Sequence, residues 1–283
     1  MATSQFTIYT SADPYGPGPL TGTTGSLISV LDACLVNGYG TGQYTKVAAG
    51  WTKPLANVSS SLGCWQQPSG SKMTLFVNDS GPNVTSLAKE AWITGWEYMT
   101  NLAPSGSVFT ASNSAGNGYG QFPLPSQLLT YGHVVWRKSA SNDSVARSWI
   151  IAADAYTMYI WISAGDTIAP PYYYHGGFGD IFSLKNQTDI WRCFIYGRVL
   201  ENTAAGVTTA DWTDLIALGS QRDQSNNLTS AQPGHFIART PGGTGGSQTF
   251  TKSGNGSLTP QSITANAPYG CALYGILSGP NSI

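Results

Sequence analysis

The stretch "SWIIAADAYTMYIWI", residues 148–162, decides the fold class of this chain of 283 residues. It contains two runs rich in β-branched and aromatic residues, 149–153 and 157–162, on either side of the three residues "DAY". Such runs favour strands, and a connection this short joins neighbouring strands antiparallel. The stretch therefore predicts a β-hairpin.

Similar short runs recur along the chain and extend the prediction. Strands are predicted in "KMTLFVND" (72–79), at 133–137 and 190–198, and in "YGCALYGILSG" (269–279), whereas the glycine-rich stretch 239–260 is predicted to be a loop. Short strands separated by Gly, Pro and Asn are typical of all-β domains. We expect a mainly β fold, an antiparallel β-sandwich or distorted barrel, with one or two short packed helices and long Gly-rich loops.

One segment near the start of the chain has a helical period instead. In "GSLISVLDACLVNGYG" (25–40), apolar residues recur at spacings of three and four, which draws one stripe along a helix. Ser26 or Thr24 is expected to cap this helix, and Gly38 to end it. The helix is predicted at 26–37 and is a packing element. The residues of its buried stripe are Leu27, Val30, Leu31, Cys34 and Leu35.

The same patterns predict three regions along the chain. Residues 1–22 are rich in Pro and Gly and are expected to form an extended N-terminal arm. Residues 23–200 form the β-rich core domain. Residues 201–283 form a C-terminal extension of strand and loop, in which 208–219 could form a second short helix, and this extension is a candidate interface.

Composition limits the partners that the chain can have. Charged residues make up 10% of it, against about 25% in an average domain, and the formal net charge is −1. Without a basic stripe we expect no binding of nucleic acid. No apolar run reaches the roughly 20 residues that a membrane span needs, and no signal peptide is recognisable. We expect a chain made in a cytoplasm, with no membrane partner.

No constellation of residues predicts an enzyme. The three histidines stand alone, and Ser69 and Lys72 match S-x-x-K in a turn, where a helix would be needed to bring them together. We therefore expect no catalytic residue, no metal site and no cofactor. The four cysteines (Cys34, Cys64, Cys193 and Cys271) lie far apart and are expected to be buried free thiols rather than two disulfides.

An aromatic cluster at 170–180, "PPYYYHGGFGD", is the strongest candidate for a contact with a partner or a glycan. Exposed tyrosines stack on sugars and pack at interfaces, whereas buried ones complete a core. Both interpretations stay open. The candidate contact residues are Tyr172, Tyr173, Tyr174, His175 and Phe178.

Several blocks of the sequence resemble a family of tailed-bacteriophage virion structural proteins. These blocks are "GSLISVLDACLVNGYG" (25–40), "AAGWTKP" (48–54), "VNDSGP" (77–82), "RKSASNDSVARSWIIAAD" (137–154) and "GFGDIFSLKNQTDIWRCFIYGR" (177–198), in the family's order. The resemblance covers about residues 18–200. It implies no site residues.

The resemblance implies an accessory component of the virion, placed in capsid decoration or in the tail, neck or baseplate. Such a protein would be made and assembled in the cytoplasm of the bacterial host and would act through contacts with other virion proteins, as a homo-oligomer. The alternative is a tail-associated receptor-binding or carbohydrate-binding module that recognises a host-surface glycan.

Overall fold

The predicted hairpin forms, and it lies within a larger sheet, next to the edge strand. In the computed structural model, residues 148–153 and 157–163 pair antiparallel, with Ile151 opposite Ile160. The structure describes residues 5–57, 61–79, 89–102, 116–121, 134–165, 174–180, 182–183, 193–197, 235–239, 249–252 and 271–272.

The described elements are almost all strands. A short α-helix, α1 (Ser26–Leu31), continues into a π-helical segment (Asp32–Asn37), and a 3-10 turn covers Gly42–Tyr44. The strands in chain order are β1 (Thr7–Thr10), β2 (Thr52–Asn57), β3 (Leu62–Gln66), β4 (Thr74–Asn78), β5 (Glu90–Trp96), β6 (Tyr98–Leu102), β7 (Gly116–Tyr119), β8 (Val134–Arg137), β9 (Ser148–Ala153), β10 (Thr157–Ser163), β11 (Tyr174–Asp180), β12 (Phe182–Ser183), β13 (Cys193–Gly197), β14 (His235–Arg239), β15 (Thr249–Lys252) and β16 (Cys271–Ala272).

Two antiparallel sheets carry the fold. The larger has the order β1-β9-β10-β11-β13-β14-β15, and the smaller has the order β2-β3-β4-β5-β8. Two-stranded sheets are formed by β6 with β7 and by β12 with β16. Neither large sheet closes on itself among the described strands. The mainly β, antiparallel, sandwich-like fold predicted from the sequence is confirmed.

One hydrophobic core joins the two large sheets and the helix. It contains Leu75 and Ile93 from the smaller sheet and Ile151, Ile160 and Ile195 from the larger one. All five helix positions predicted to be buried, Leu27, Val30, Leu31, Cys34 and Leu35, have no exposed surface and belong to this core. The helix therefore covers the core through the stripe that its spacing predicts.

The helix differs from the prediction in its second half, where an α-helix becomes a π-helix. Here the carbonyls of Cys34 and Leu35 accept hydrogen bonds from Ala49 and Trp51 at 3.0 and 2.9 Å. A π-helical turn is wider than an α-helical one. This geometry is consistent with carbonyl groups that bond to the segment leading into β2 rather than to amides further along the helix. Gly38 ends the helix at φ +70°, as predicted.

The predicted division into three regions stays a prediction, but strands occur in its first and last parts. In the described part of the N-terminal arm, β1 pairs with β9, and both Tyr9 and Leu20 are fully buried. In the extension, β14 pairs with β13 and carries the larger sheet across residue 200, and β15 lies inside the stretch predicted to be a loop. The helix predicted at 208–219 lies outside the described residues.

The two large sheets approach each other closely at Gly176 of β11. A Cβ placed there would lie 2.3 Å from Nε1 of Trp136, the buried tryptophan of β8 in the facing sheet. The glycine therefore supplies room for an indole ring rather than a break in the strand.

We expect Gly176→Ala to lower the free energy of unfolding by about 1–3 kcal/mol, because the added methyl group forces the Trp136 ring to move. Gly18→Ala is the matched control, since nothing lies within 4 Å of its Cβ position. Urea unfolding followed by tryptophan fluorescence measures both. Equal stability of the two variants would contradict the close approach of the sheets.

Candidate functional site

The aromatic cluster predicted as a contact site is mostly part of a strand. Tyr174 and His175 open β11 and lie opposite Ile162 and Trp161 of β10 in the register of the larger sheet. Phe178 has no exposed surface, and its ring meets that of Trp51 edge-on, with centroids 6.0 Å apart. The prediction of a surface contact through Phe178 is therefore wrong.

The error has a physical cause. β11 lies between β10 and β13, and its glycines at 176, 177 and 179 make room for side chains of neighbouring elements. The glycine pattern that suggests a loop thus reports close packing around a strand. Tyr172 and Tyr173 lie outside the described residues, so their contact role stays a prediction.

The helix is capped by a residue that is distant in sequence. Gly25 occupies the cap position, and neither Ser26 nor Thr24 caps the helix with its side chain. Instead, Oδ2 of Asp79, just after β4, accepts a hydrogen bond of 2.9 Å from the Leu27 amide. The neighbouring Ile28 amide acts on the same carboxyl group and favours its charged form. Asp79 thereby caps the helix, the role that the sequence predicts for Ser26 or Thr24.

Lys138 lies against the same carboxylate. Its Nζ is 2.5 Å from Oδ1 of Asp79, and neither side chain has exposed surface. This is the distance of an ion pair, but the angles of a well-aligned hydrogen bond are missing at Oδ1. The Lys138 amine also donates to the carbonyl oxygen of Thr23 and lies 3.2 Å from Oγ of Ser26.

Burial shifts both members of this pair toward their neutral forms. It raises the pKa of Asp79 above its usual value, although the Lys138 charge and the helix amides act in the opposite direction. Burial likewise lowers the pKa of Lys138, against the effect of Asp79. The cause is the loss of hydration, which costs a charged group more than a neutral one.

A second buried pair lies beside the first. Arg137, the last residue of β8, approaches Glu90 of β5 at 3.6 Å, with 1% and 0% of their side-chain surfaces exposed. Opposite residues in the register of β5 and β8, they neutralise each other inside the sheet.

The turn that carries the S-x-x-K match, Ser69 to Lys72, is held by a different polar network through Ser71, which lies between these two residues. Ser71 is buried, and its amide donates to Oδ2 of Asp180 at 2.9 Å, while its hydroxyl contacts Asp180 and Gln67. Lys72 is exposed at a φ of +54°. The network ties the turn before β4 to the end of β11, a structural contact between the sheets.

The described cysteines are inert in this structure. Cys34, Cys64 and Cys193 are free and buried, as predicted, and the Cys271 side chain lies outside the described residues. Burial raises the pKa of Cys64 to about 11 and shifts the pKa of Cys34 and Cys193 further in the same direction. Thiolates are therefore disfavoured, and with them nucleophilic chemistry.

Exposed apolar side chains are frequent in the segment that contains the edge strand β1. Among the described residues, eight large apolar side chains are exposed, and five of them fall within residues 6–47. We call these five the N-terminal patch. Its members are Phe6, Ile8, Tyr15, Tyr44 and Val47.

Lys46 and Asp13, which lie within the same segment as the N-terminal patch, bond the backbone of the edge strand β1. Nζ of Lys46 donates to the Ile8 carbonyl at 2.9 Å, and Oδ2 of Asp13 accepts from the Thr10 amide at 2.9 Å. Nζ of Lys46 lies 3.5 Å from Oδ2 of Asp13. These contacts occupy outward-facing backbone groups of β1, which limits pairing with another strand. Although partial burial acts against it, hydrogen bonds from Tyr39 and Thr10 lower the pKa of Asp13.

A second exposed pair lies on the small β6–β7 sheet. Tyr98 and Tyr119 are directly opposite each other, with 56% and 71% of their surface exposed. Adjacent exposed tyrosine rings form a surface on which a planar or sugar ligand can stack.

Comparisons with protein-family models, with curated proteins and with solved structures find no match. Within the described ranges, no group of three or more His, Cys, Asp or Glu side chains has the arrangement of a metal site. No helix in this part of the chain has the length and hydropathy to cross a bilayer.

We expect Lys138→Met to lower the free energy of unfolding by about 3–5 kcal/mol, because it leaves the Asp79 carboxylate buried without its cation. Lys72→Met is the control, because Lys72 is exposed and its replacement removes no buried charge. Denaturant titration measures both losses. A loss below about 1 kcal/mol for Lys138→Met would show that the pair does not stabilise the fold.

Proposed function

We propose that this protein is a structural component of a tailed-bacteriophage virion that acts through contacts between subunits. The observation that carries the proposal is the N-terminal patch, five exposed apolar side chains in a chain of which 10% is charged. The sequence blocks that resemble virion structural proteins support the same function.

The patch has the chemistry of a protein interface. Tyrosines, of which it has two in ring contact, Tyr15 and Tyr44, are enriched in interfaces, and charged residues are depleted there. Exposed apolar clusters on soluble proteins commonly mark such sites. The charged groups that a neighbouring subunit would cover here, Lys46 and Asp13, are already paired with each other.

The edge strand β1, whose outward-facing backbone groups are already bonded, suggests how the contact between subunits is made. Lys46 and Asp13 occupy outward-facing groups of β1, so copies of the chain are hindered from joining edge to edge into filaments before assembly. Association then occurs through side-chain packing on the patch. The partners are other virion proteins and further copies of this chain, in the virion.

Capsid decoration and a tail, neck or baseplate position are both compatible with this chemistry. They differ in copy number, about hundreds for decoration and a few to some tens for a tail part, by the symmetry of each assembly. Quantitative mass spectrometry of purified particles separates the two.

We expect Val47→Asp to reduce incorporation into particles by roughly tenfold or more, since a loss of about 1.4 kcal/mol in contact free energy has that effect. Val47 is 74% exposed, so its replacement leaves the core intact. The variants are supplied in bacteria infected with phage that lacks its own copy, and incorporation is measured by mass spectrometry of the particles.

Val145→Asp is the matched control, an exposed valine outside the N-terminal patch. Unfolding curves of both variants should match that of the parent chain within about 0.5 kcal/mol. Equal incorporation of the two variants would contradict the role of the patch. Absence of the parent chain from particles would contradict the proposed function itself.

The alternative function, recognition of a host-surface glycan, is favoured by the Tyr98–Tyr119 pair. We expect Tyr98→Ala to weaken binding of the host polysaccharide by about tenfold, through the loss of one aromatic stack. Tyr15→Ala is the control, an exposed tyrosine outside the β6–β7 sheet. Isothermal titration calorimetry measures both, and no binding by the parent chain would exclude this function.

A further inference from the structure

Asp79 and Lys138 lie next to each other at the ends of two strands of the smaller sheet. Asp79 follows β4, Lys138 follows β8, and β5 lies between these strands. The backbone holds both residues in place, since the Asp79 amide donates to Ser61 and the Lys138 amide donates to Lys89, each at 2.9 Å. A primary amine and a carboxyl group are thus kept in contact at 2.5 Å, with water excluded from both side chains.

We propose that Lys138 and Asp79 condense to an amide, an isopeptide cross-link within the chain. The proposal rests on the contact between the two groups, their complete burial and the hydrogen-bond donors around the carboxyl group. It is independent of what the surface of the protein binds.

The reaction starts from the neutral pair. A proton passes from the Lys138 ammonium to Oδ1 of Asp79, which leaves an amine and a carboxylic acid. Burial favours this form, because it raises the pKa of the acid and lowers the pKa of the amine. An unprotonated lysine amine is a nucleophile, and burial is a known way of activating one.

The bond changes balance without any further reactant. The lone pair of Nζ adds to Cγ of Asp79, forming a carbon–nitrogen bond, and the carbonyl electron pair moves to Oδ2. The bond from Cγ to Oδ1 then breaks. Oδ1 leaves as water, with one hydrogen from the acid and one from the amine, and the second amine hydrogen stays on the new amide.

The groups around the pair fit this step. Oδ2, where negative charge develops, already accepts a hydrogen bond from the Leu27 amide at 2.9 Å. Fixed amide donors of this kind stabilise an oxyanion. On the side away from Asp79, the Lys138 amine contacts the Thr23 carbonyl and Oγ of Ser26. The Ser26 hydroxyl is therefore placed to relay a proton from the amine.

The neighbouring pair supplies an internal control. Glu90 and Arg137 are equally buried, but their closest atoms are 3.6 Å apart. The arginine guanidinium also keeps its charge in proteins. No cross-link is expected there, although Arg137 precedes Lys138 in the chain.

Intact-mass and peptide mass spectrometry of the purified full-length chain test the proposal. We expect the reduced chain to be lighter than its sequence by one water. Trypsin should fail to cut after Lys138 and should yield one branched peptide that joins residues 73–89 to residues 138–147. Cleavage after Arg137 and the absence of a linked peptide at Glu90 serve as the control.

Lys138→Arg keeps the positive charge but removes the reactive amine, so its mass should equal that of its sequence. If this variant does not fold, the parent chain still decides the matter. A parent chain of full sequence mass, cleaved after Lys138 even after prolonged incubation, would overturn the proposal. A water loss that maps to any other position would overturn it as well.

Discussion

A single buried carboxylate, that of Asp79, connects the parts of this structure. It binds the Leu27 amide of the helix through Oδ2 and faces Lys138 through Oδ1, so it links α1, β4 and β8 at one point. An unpaired charge at this depth would cost several kcal/mol, and the helix would lose its cap at the same time. The position of the helix over the core therefore depends on this contact.

The burial of charged residues in pairs leaves few charges for the surface. The chain has 13 basic and 14 acidic residues, and two of each (Lys138, Arg137, Asp79 and Glu90) are buried in pairs. The surface is left with even fewer charges than the composition suggests. Few surface charges, the exposed residues of the N-terminal patch and an edge strand whose outward-facing groups are bonded all suit a protein that neighbouring subunits cover. This is the function proposed for it.

Local patterns in the sequence predicted local structure well. The hairpin at 148–163 and the stripe from Leu27 to Leu35 follow from short-range periodicity, which the fold leaves intact. The patterns failed where distant segments meet. The glycines around Phe178 serve contacts with other strands, and the cap from Asp79 lies 52 residues from the amide it binds. Nothing local in "FVND" or "WRKS" indicates that their charged residues pair.

The central claim is that the N-terminal patch is covered by neighbouring subunits. Hydrogen–deuterium exchange of the free chain and of the chain within purified particles tests it directly. Exchange should be slower in particles across residues 6–47 and should be unchanged around the fully buried Asp79 and Lys138. Equal exchange across residues 6–47 in both states would contradict the account.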